Sequence, residues 1–298
     1  MKRASSSKRP SPFRRWMRGI MVCGLAGILI WCTLSCVSHQ WRCVKNDESL
    51  IPIRVLTYNT HRMGMYAKPE QNRVIQYIQR TNADVVCLQE VEVYKDRQYL
   101  TLNELKQALK QYPYTYFDFS VYNSRRQYGN AVFSKYPLTN KQTIRYDSRA
   151  NISSRCDVVI HQDTIRLFVN HLESNRLTNE DWDHDIEQLM DKLSTARRLR
   201  NQQARTVKEA VNESPYPVLV AGDLNSIPIS YTYQYLCWGL RDCFLETSRG
   251  KVGVTFRKHH LGVRIDYILC SRSLTPLSTR IDYVNYSDHY PVLSTIGL

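Results

Sequence analysis

The chain has 298 residues, 43% of them hydrophobic and 23% charged, a balance that excludes a wholly disordered polymer and a multi-span membrane protein. The length suffices for one large domain or two ordinary ones. Lysine and arginine number 41 against 27 acids, a net charge of +14, and seven of those cations (Lys2, Arg3, Lys8, Arg9, Arg14, Arg15 and Arg18) lie in the first 18 residues, which hold no acid. The rest of the chain is still basic. That suits a polyanionic partner or an anionic surface, although a modest excess also serves solubility alone.

Residues 19–37 contain no charged side chain. As a helix they would rise about 28 Å, close to the hydrocarbon thickness of a bilayer. Cations on the N-terminal flank favour keeping that end in the cytoplasm, which sends the following residues outside. A signal peptide has the same layout, and Thr33-Leu34-Ser35-Cys36 loosely resembles a lipoprotein processing box. Two alternatives stand: an uncleaved signal anchor, or lipidation at Cys36. Either predicts an exported, membrane-associated domain over 45–298 behind a targeting segment over 1–44. Of nine cysteines, Cys23, Cys32, Cys36 and Cys43 lie in or beside that segment. The others, Cys87, Cys156, Cys237, Cys243 and Cys270, lack metal-site spacing, and Cys87 and Cys270 read as small core residues.

Residues 53–59, β-branched and aromatic after Pro52, predict a strand. Helical spacing over 69–80 places Val74, Ile75 and Ile78 on one face. Residues 84–88 form a short apolar strand ending at Gln89-Glu90. Leu102, Leu105, Ala108 and Leu109 mark a second helix, closed by Pro113. A β-rich middle follows, with strands over 131–133, 157–160 and 164–170. Residues 179–211 predict a long charged helix whose early acids and later bases (Arg197, Arg198, Arg200 and Arg205) match the helix dipole. Strands over 218–220, 265–269 and 292–296 close the set. Mixed strands and helices, without a repeat or a Gly/Ser linker, predict an α/β domain of layered sheets covered by helices.

Several apolar strands stop at groups able to bind a metal or a phosphate. Asn59 closes 55–58, Glu90 closes 85–89, and Gly222-Asp223-Leu224-Asn225 follows 218–221. Asn170-His171 ends another strand, Asp266 lies in Arg264-Ile265-Asp266-Tyr267, and Ser287-Asp288-His289 precedes Tyr290-Pro291-Val292. Singly, each has an ordinary explanation as a turn residue, a helix cap or a solvated rim.

In order, Thr57-Tyr58-Asn59, Leu88-Gln89-Glu90, the run from Gly129-Asn130 to Pro137-Leu138, Asn170-His171-Leu172, Gly222-Asp223-Leu224-Asn225, Arg264-Ile265-Asp266-Tyr267-Ile268 and Ser287-Asp288-His289 resemble the endonuclease/exonuclease/phosphatase family, the DNase I-like metal-dependent phosphoesterases. The resemblance spans residues 53–298. It implies a four-layer α/β sandwich, two mixed β-sheets face to face with helices outside. It also implies Glu90 as principal ligand for Mg²⁺ or Mn²⁺, with Asp288 as a further carboxylate on the metal side. Asp223 would orient or deprotonate the attacking water, held by Asn59. Asn225 and His171 would donate to the phosphoryl oxygens, and His289 would contact phosphate with Asp266 holding its ring. In an alternative assignment His171 protonates the leaving group.

His61 stands where family members acting on abasic DNA carry an aspartate, so it is read as pocket-lining and not as a ligand. Asn170-His171-Leu172-Glu173-Ser174 resembles the matching stretch of tyrosyl-DNA phosphodiesterases, and Thr255-Phe256 fits a family position near the substrate pocket. The loop over 122–128 mixes cations and aromatics before a Gly129-Asn130 turn, making Arg126, Tyr128 and Asn130 candidate substrate contacts. The bland alternative for that loop is a solvated hairpin with its aromatics packed on one side.

The expected protein is an exported, monomeric, membrane-tethered hydrolase of a phosphate-ester substrate. A nuclease or nucleotide phosphodiesterase, with nucleic acid as partner, is the leading subclass. The alternatives are a phosphatase or phospholipase-like enzyme acting on lipid or sugar phosphates, and a binding protein on the same fold.

Overall fold

The computed structural model describes residues 49–64, 68–148, 150–175, 186–248, 253–258 and 261–298. The basic tail, the uncharged stretch over 19–37, the four N-terminal cysteines and the first residues of the predicted long helix lie outside the described residues. Among the described residues no helix is long and apolar enough to cross a membrane.

The polypeptide folds around two six-stranded sheets. One comprises β1 (Pro52–Asn59), β2 (Val85–Tyr94), β3 (Tyr114–Tyr122), β4 (Arg126–Ser134), β13 (Thr275–Ile281) and β14 (Val292–Gly297), in the order β13-β14-β1-β2-β4-β3. The other comprises β5 (Leu138–Arg145), β6 (Ile152–Ile160), β7 (Asp163–His171), β8 (Val218–Asp223), β9 (Leu240–Asp242) and β12 (Asp266–Ser271), in the order β5-β6-β7-β8-β12-β9. Both are mixed: β1 runs parallel to β2 but antiparallel to β14, and β7 runs parallel to β8 while β8 and β12 are antiparallel. A hairpin, β10 (Phe256–Lys258) with β11 (Leu261–Val263), stands apart.

The near-continuous apolar character of the central strands follows from burial on both faces. Val55, Cys87 and Val132 of the first sheet meet Cys156, Leu167, Leu219 and Ile268 of the second in the inter-sheet core. On the outer face of the first sheet, α1 (Arg73–Thr81) and α2 (Leu102–Ala108) bring Ile75, Ile78 and Leu105 onto Leu56, Val86 and Phe133. On the second sheet, α3 (Ile186–Asn212) and α4 (Tyr231–Cys237) bring Ala204, Val207 and Leu236 onto Phe168, Val220 and Leu269. Each fully buried Val, Leu, Ile or Phe among them contributes about 1.5–3 kcal/mol. These are the four layers that the family resemblance implies. A short α5 (Cys243–Thr247) follows β9, and the five described cysteines are all unpaired.

Three differences from the sequence reading have local causes. The helix expected from residue 69 begins at Arg73, because Asn72 is its N-cap and accepts from the amides of Val74 (3.1 Å) and Ile75 (3.2 Å). The strand expected to stop at Gln89-Glu90 continues to Tyr94 through a bulge, where pairing with β4 shifts between Leu88 and Val91 and Glu90 takes a left-handed φ of 54°. Finally, β3, β5 and β13 have no counterpart among the expected strands. They are outermost strands: β5 is mostly polar and exposed, β13 is only partly buried, and β3 buries the polar Asp118 between half-buried aromatics, so none presents an unbroken apolar run.

Candidate active site

Strand register places the polar residues on one rim. Asp223 at the end of β8 pairs with His171 at the end of β7 and with Asp266 at the start of β12, while Asn59 and Gln89 end the parallel run of β1 and β2. Close approach of β7 and β8 at this rim requires Gly222. A Cβ there would lie 2.1 Å from the Asn170 carbonyl oxygen, and its φ of +128° is one that L side chains rarely adopt. Asn225 turns the chain in a left-handed conformation just after β8.

Asn59 ties the rim together. Its Nδ2 donates to Glu90 Oε1 (3.1 Å) and to Asp223 Oδ2 (3.0 Å), while its Oδ1 accepts from the His61 amide (3.1 Å). Asn225 donates to Asp223 through its backbone amide (2.7 Å) and its Nδ2 (3.2 Å). His289 Nδ1 lies 2.9 Å from Asp266 Oδ2, and its Nε2 faces Asp223 Oδ2 at 3.8 Å. Ser287 holds the loop by donating to the Asn59 carbonyl (2.9 Å), and the Phe256 ring lies 4.8 Å from the His289 ring. His171 points Nε2 at Glu90 Oε1 (3.5 Å), and its buried Nδ1 has no hydrogen-bond partner. Before this constellation, His61, Arg62 and Met63 all adopt positive φ, a strained left-handed turn against the site.

Burial and charge set the protonation states. Burial and the neighbouring Asp266 push the Asp223 carboxyl up to about 6, against the pull of His289 and His171. Burial alone would lower the His289 pKa, but Asp266 and Asp223 outweigh it and raise it to about 10. Burial also acts to raise Glu90, yet His171, the Asn59 hydrogen bond, His289 and His61 together hold it below the ordinary glutamate value. The site therefore presents an ionised Glu90, an Asp223 poised near neutrality and an imidazolium at His289.

Two groups offer a cation ligands. Asp223, Asp266 and His289 bring one ligand atom each within 4.8 Å of one another. That cluster is already held by the His289 proton, which a cation would have to displace, and all three residues are buried. Glu90 and Asp288, the pair that the family resemblance assigns to a hard divalent ion, both line the cleft. Their side chains are 21% and 39% exposed, which leaves room for the water ligands such ions retain. His61 Nδ1 lies 3.3 Å from Asp288 Oδ1, on the wall of the same cleft. The cleft, of about 990 Å³, also takes in Glu90, Asp223, Asn225, Arg200 and His289.

A sequence profile of the Endonuclease/Exonuclease/phosphatase family matches residues 56–289. The chain belongs to the endonuclease/exonuclease/phosphatase family. Its members hydrolyse phosphate esters and generally depend on divalent metals, so this rim of the sandwich is the candidate active site of a phosphoesterase. No curated protein matches the chain by sequence. Solved structures share the fold. An endonuclease/exonuclease/phosphatase from Beutenbergia cavernae is 19% identical with a TM-score of 0.64, covering 83% of this chain and 72% of its own. Truncated Caenorhabditis elegans TDP2 is 18% identical with a TM-score of 0.59, covering 83% of this chain and 98% of its own. D. rerio TDP2 complexed with a single-strand DNA product is 16% identical with a TM-score of 0.60, covering 83% and 99% respectively.

In this phosphoesterase the loop over 122–128 is the turn of the β3–β4 hairpin, where Asn123 Oδ1 accepts from the amides of Arg125 and Arg126. The three candidate substrate contacts in and after it part ways. Tyr128 reaches the site, where burial and then the charge of Glu90, to which its hydroxyl donates, push its pKa up. Arg126 pairs with the buried Glu92, to which Arg62 Nε also donates at 2.6 Å, so its guanidinium serves a structural ion pair. Asn130 is a correction. It is fully buried and donates to Ser154 Oγ (3.1 Å) and the Val169 carbonyl (3.1 Å), joining the two sheets beneath the cleft out of a substrate's reach.

Sequence reasoning missed one contributor, Arg200, and placed another, Thr255, near the pocket without its role. Thr255 is fully buried and its Oγ1 accepts from the amides of Ile265 (2.9 Å) and Asp266 (3.0 Å), fixing the carboxylate that holds His289. Arg200 is buried at the cleft wall, donates to the Glu173 carbonyl (2.8 Å) and leaves its Nε without a partner. The helix-dipole account of Arg197 to Arg205 also fails. The helix runs on to Asn212 and its last turn holds no base, whereas the dipole acts only within that turn.

Proposed function

We propose that the protein is a divalent-metal-dependent phosphodiesterase that cleaves nucleic-acid or nucleotide phosphodiesters by in-line attack of an activated water. The observation that carries this reading is the Asn59 amide, which donates to Glu90 and to Asp223 at once and so fixes a metal-side carboxylate relative to a carboxylate poised near neutral pH. Glu90 and Asp288 would hold Mg²⁺ or Mn²⁺. When bound, the cation neutralises charge on the phosphoryl group and the leaving oxygen. Asp223, steadied by Asn59 and Asn225, orients the water and accepts its proton. His171 Nε2 and the His289 imidazolium donate to phosphoryl oxygens as charge builds, Asn225 Nδ2 joins them by exchanging its 3.2 Å bond to Asp223 while keeping the one to the Leu172 carbonyl, and Asp266 keeps the His289 ring charged and aimed.

A nucleic-acid substrate is supported by the basic character of the chain, by Arg197 and Arg200 on the cleft wall, and by the single-strand DNA product held by the zebrafish structure of the same fold. The charge layout of the first 44 residues supports export and tethering at a membrane. The test is hydrolysis by the full-length protein in neutral detergent, with Mg²⁺, Mn²⁺ or EDTA. Substrates are DNA and RNA oligonucleotides, a tyrosyl-DNA oligonucleotide, a phosphomonoester and phospholipid vesicles. Metal-dependent cleavage of oligonucleotides ahead of the other substrates is expected. Preference for the monoester or the phospholipid would overturn the assignment.

A further inference from the structure

The cleft does not end at the catalytic carboxylates. Arg197 and Asn201 line both the cleft and a second depression of about 650 Å³ along α3, and Tyr231 joins the cleft to a third between α3 and α4. Arg197, Asn201 and Arg205 recur at four-residue spacing and so share one face of α3. The helix rises about 12 Å between the two arginines. Arg198 flanks them, and all three arginines are exposed. Of the residues lining the second depression, only Asp191 is acidic, and it sits at the end of α3 away from Arg205. None of these cations lies in the last turn of α3, so the helix dipole does not account for them.

Aromatic surface borders the row. The Tyr231 ring, 43% exposed, stacks on Tyr235 at 5.3 Å with an interplanar angle of 18°. Arg205 lies 5.6 Å over the Tyr231 ring and its Nε donates to the Tyr231 hydroxyl (3.2 Å). Arginines that track phosphates beside an exposed aromatic face form the combination that binds unpaired strands, because each base has a π-face free to stack only when it is not inside a duplex. We propose that this strip of α3 and α4 is a track for single-stranded nucleic acid, leading the substrate strand away from the scissile phosphate. The proposal rests on the phosphodiesterase reading above and specifies its substrate as a single strand of several nucleotides. Arg197, on the boundary between cleft and strip, takes the phosphate next to the reacting one. Arg198 and Arg205 take those beyond, and a base stacks at Tyr231.

The test uses the full-length protein in neutral detergent and two readouts. In EDTA, a 5′-labelled oligo(dT) 12-mer is titrated by fluorescence anisotropy over a salt series. Arg198→Gln/Arg205→Gln should weaken binding at least fivefold at low salt. It should also reduce the slope of log K against log[salt] by about 1.4, since each phosphate left without its arginine lowers the slope by about 0.7 on a single strand. Tyr231→Ala should weaken binding at constant salt slope, whereas Tyr231→Phe, which keeps the ring, should not. With Mg²⁺ or Mn²⁺, the double variant should lower kcat/KM for the 12-mer at least fivefold relative to that for bis(p-nitrophenyl) phosphate. An unchanged salt slope and substrate ratio would overturn the track. So would a double variant that loses only binding to phosphatidylglycerol vesicles, which would make the strip a membrane contact. If no diester is cleaved under any condition, the phosphodiesterase reading fails, while the anisotropy series still decides whether the strip binds single strands.

Discussion

Asp266→Asn isolates the electrostatic design of the site. The substitution preserves shape and leaves an oxygen able to accept from His289 Nδ1, now 2.9 Å from Asp266 Oδ2, but it removes the charge that holds the imidazolium. In the native protein His289 has a pKa of about 10, so at pH 8 about 99% of the rings are charged. Without the Asp266 charge, even a return to the ordinary value of 6.5 would leave about 3% charged at that pH, and burial would drive the fraction lower. Loss of a charged donor to the transition state costs about 10²–10³ in kcat. The expected profile is therefore an alkaline limb near pH 10 in the native enzyme, moved below neutrality in the variant, with activity partly recovered toward acid pH. Stability follows the same sign. A histidine raised in the folded state contributes stability that is fully present below about 6.5 and is lost as the pH rises through about 10. At about 1.4 kcal/mol per tenfold, several kcal/mol are involved, so the thermal advantage of native over variant should shrink between pH 8 and pH 10.5. The assay is initial-rate hydrolysis of bis(p-nitrophenyl) phosphate from pH 5 to 10.5 at fixed Mg²⁺, paired with thermal denaturation. A variant that keeps the native alkaline limb would refute the reasoning.

Other outcomes follow from the same geometry. Asp223, raised to about 6, must be ionised to act as base, so kcat/KM should fall about tenfold per pH unit below 6, and Asp223→Asn should be inactive at every pH. Retention of even a tenth of native activity in that variant would remove Asp223 from the chemistry. Gly222→Ala would place a Cβ 2.1 Å from the Asn170 oxygen at a φ of +128° and should cost about 2–4 kcal/mol, seen as a drop of about 5–10 °C in Tm. Thr255→Val leaves two buried amides unpaired and should lose about 1–3 kcal/mol together with some turnover, whereas Thr255→Ser should restore both.

The sequence exposed the fold where burial is most demanding and concealed it where burial is partial. Central strands such as β1 and β8 are buried on both faces and could be read directly, whereas on the outer edges β5 is mostly polar and exposed and β3 buries Asp118 among half-buried aromatics, so neither offers the unbroken apolar run that marked the others. Glu90 was legible as a polar residue closing an apolar run, but not as the apex of a bulge, because a bulge depends on the partner strand β4. The remaining site candidates showed the same asymmetry. Those at strand ends in the two sheets gather at one rim because register brings them there. Asn130 sits inside a motif yet points into the core, a distinction that strand direction makes and spelling does not. Arg200 lay in a stretch whose charge had a local explanation, and Thr255 was legible only as a family position near the pocket; tertiary contacts reveal what each holds.

The central claim is that Glu90 supports metal-dependent cleavage of a phosphodiester. Its most direct test is cleavage of a 5′-labelled single-stranded oligonucleotide by the full-length protein and by Glu90→Gln, each with EDTA and then with excess Mg²⁺. Glu90→Gln keeps an oxygen to accept from Asn59 Nδ2, so it should fold with a near-native Tm. The account predicts that EDTA silences the native enzyme, that Mg²⁺ restores it, and that the variant stays at least about 10³-fold slower than the Mg²⁺-restored enzyme in both conditions. Cleavage indifferent to EDTA, or a Glu90→Gln variant as fast as the native protein, would contradict it.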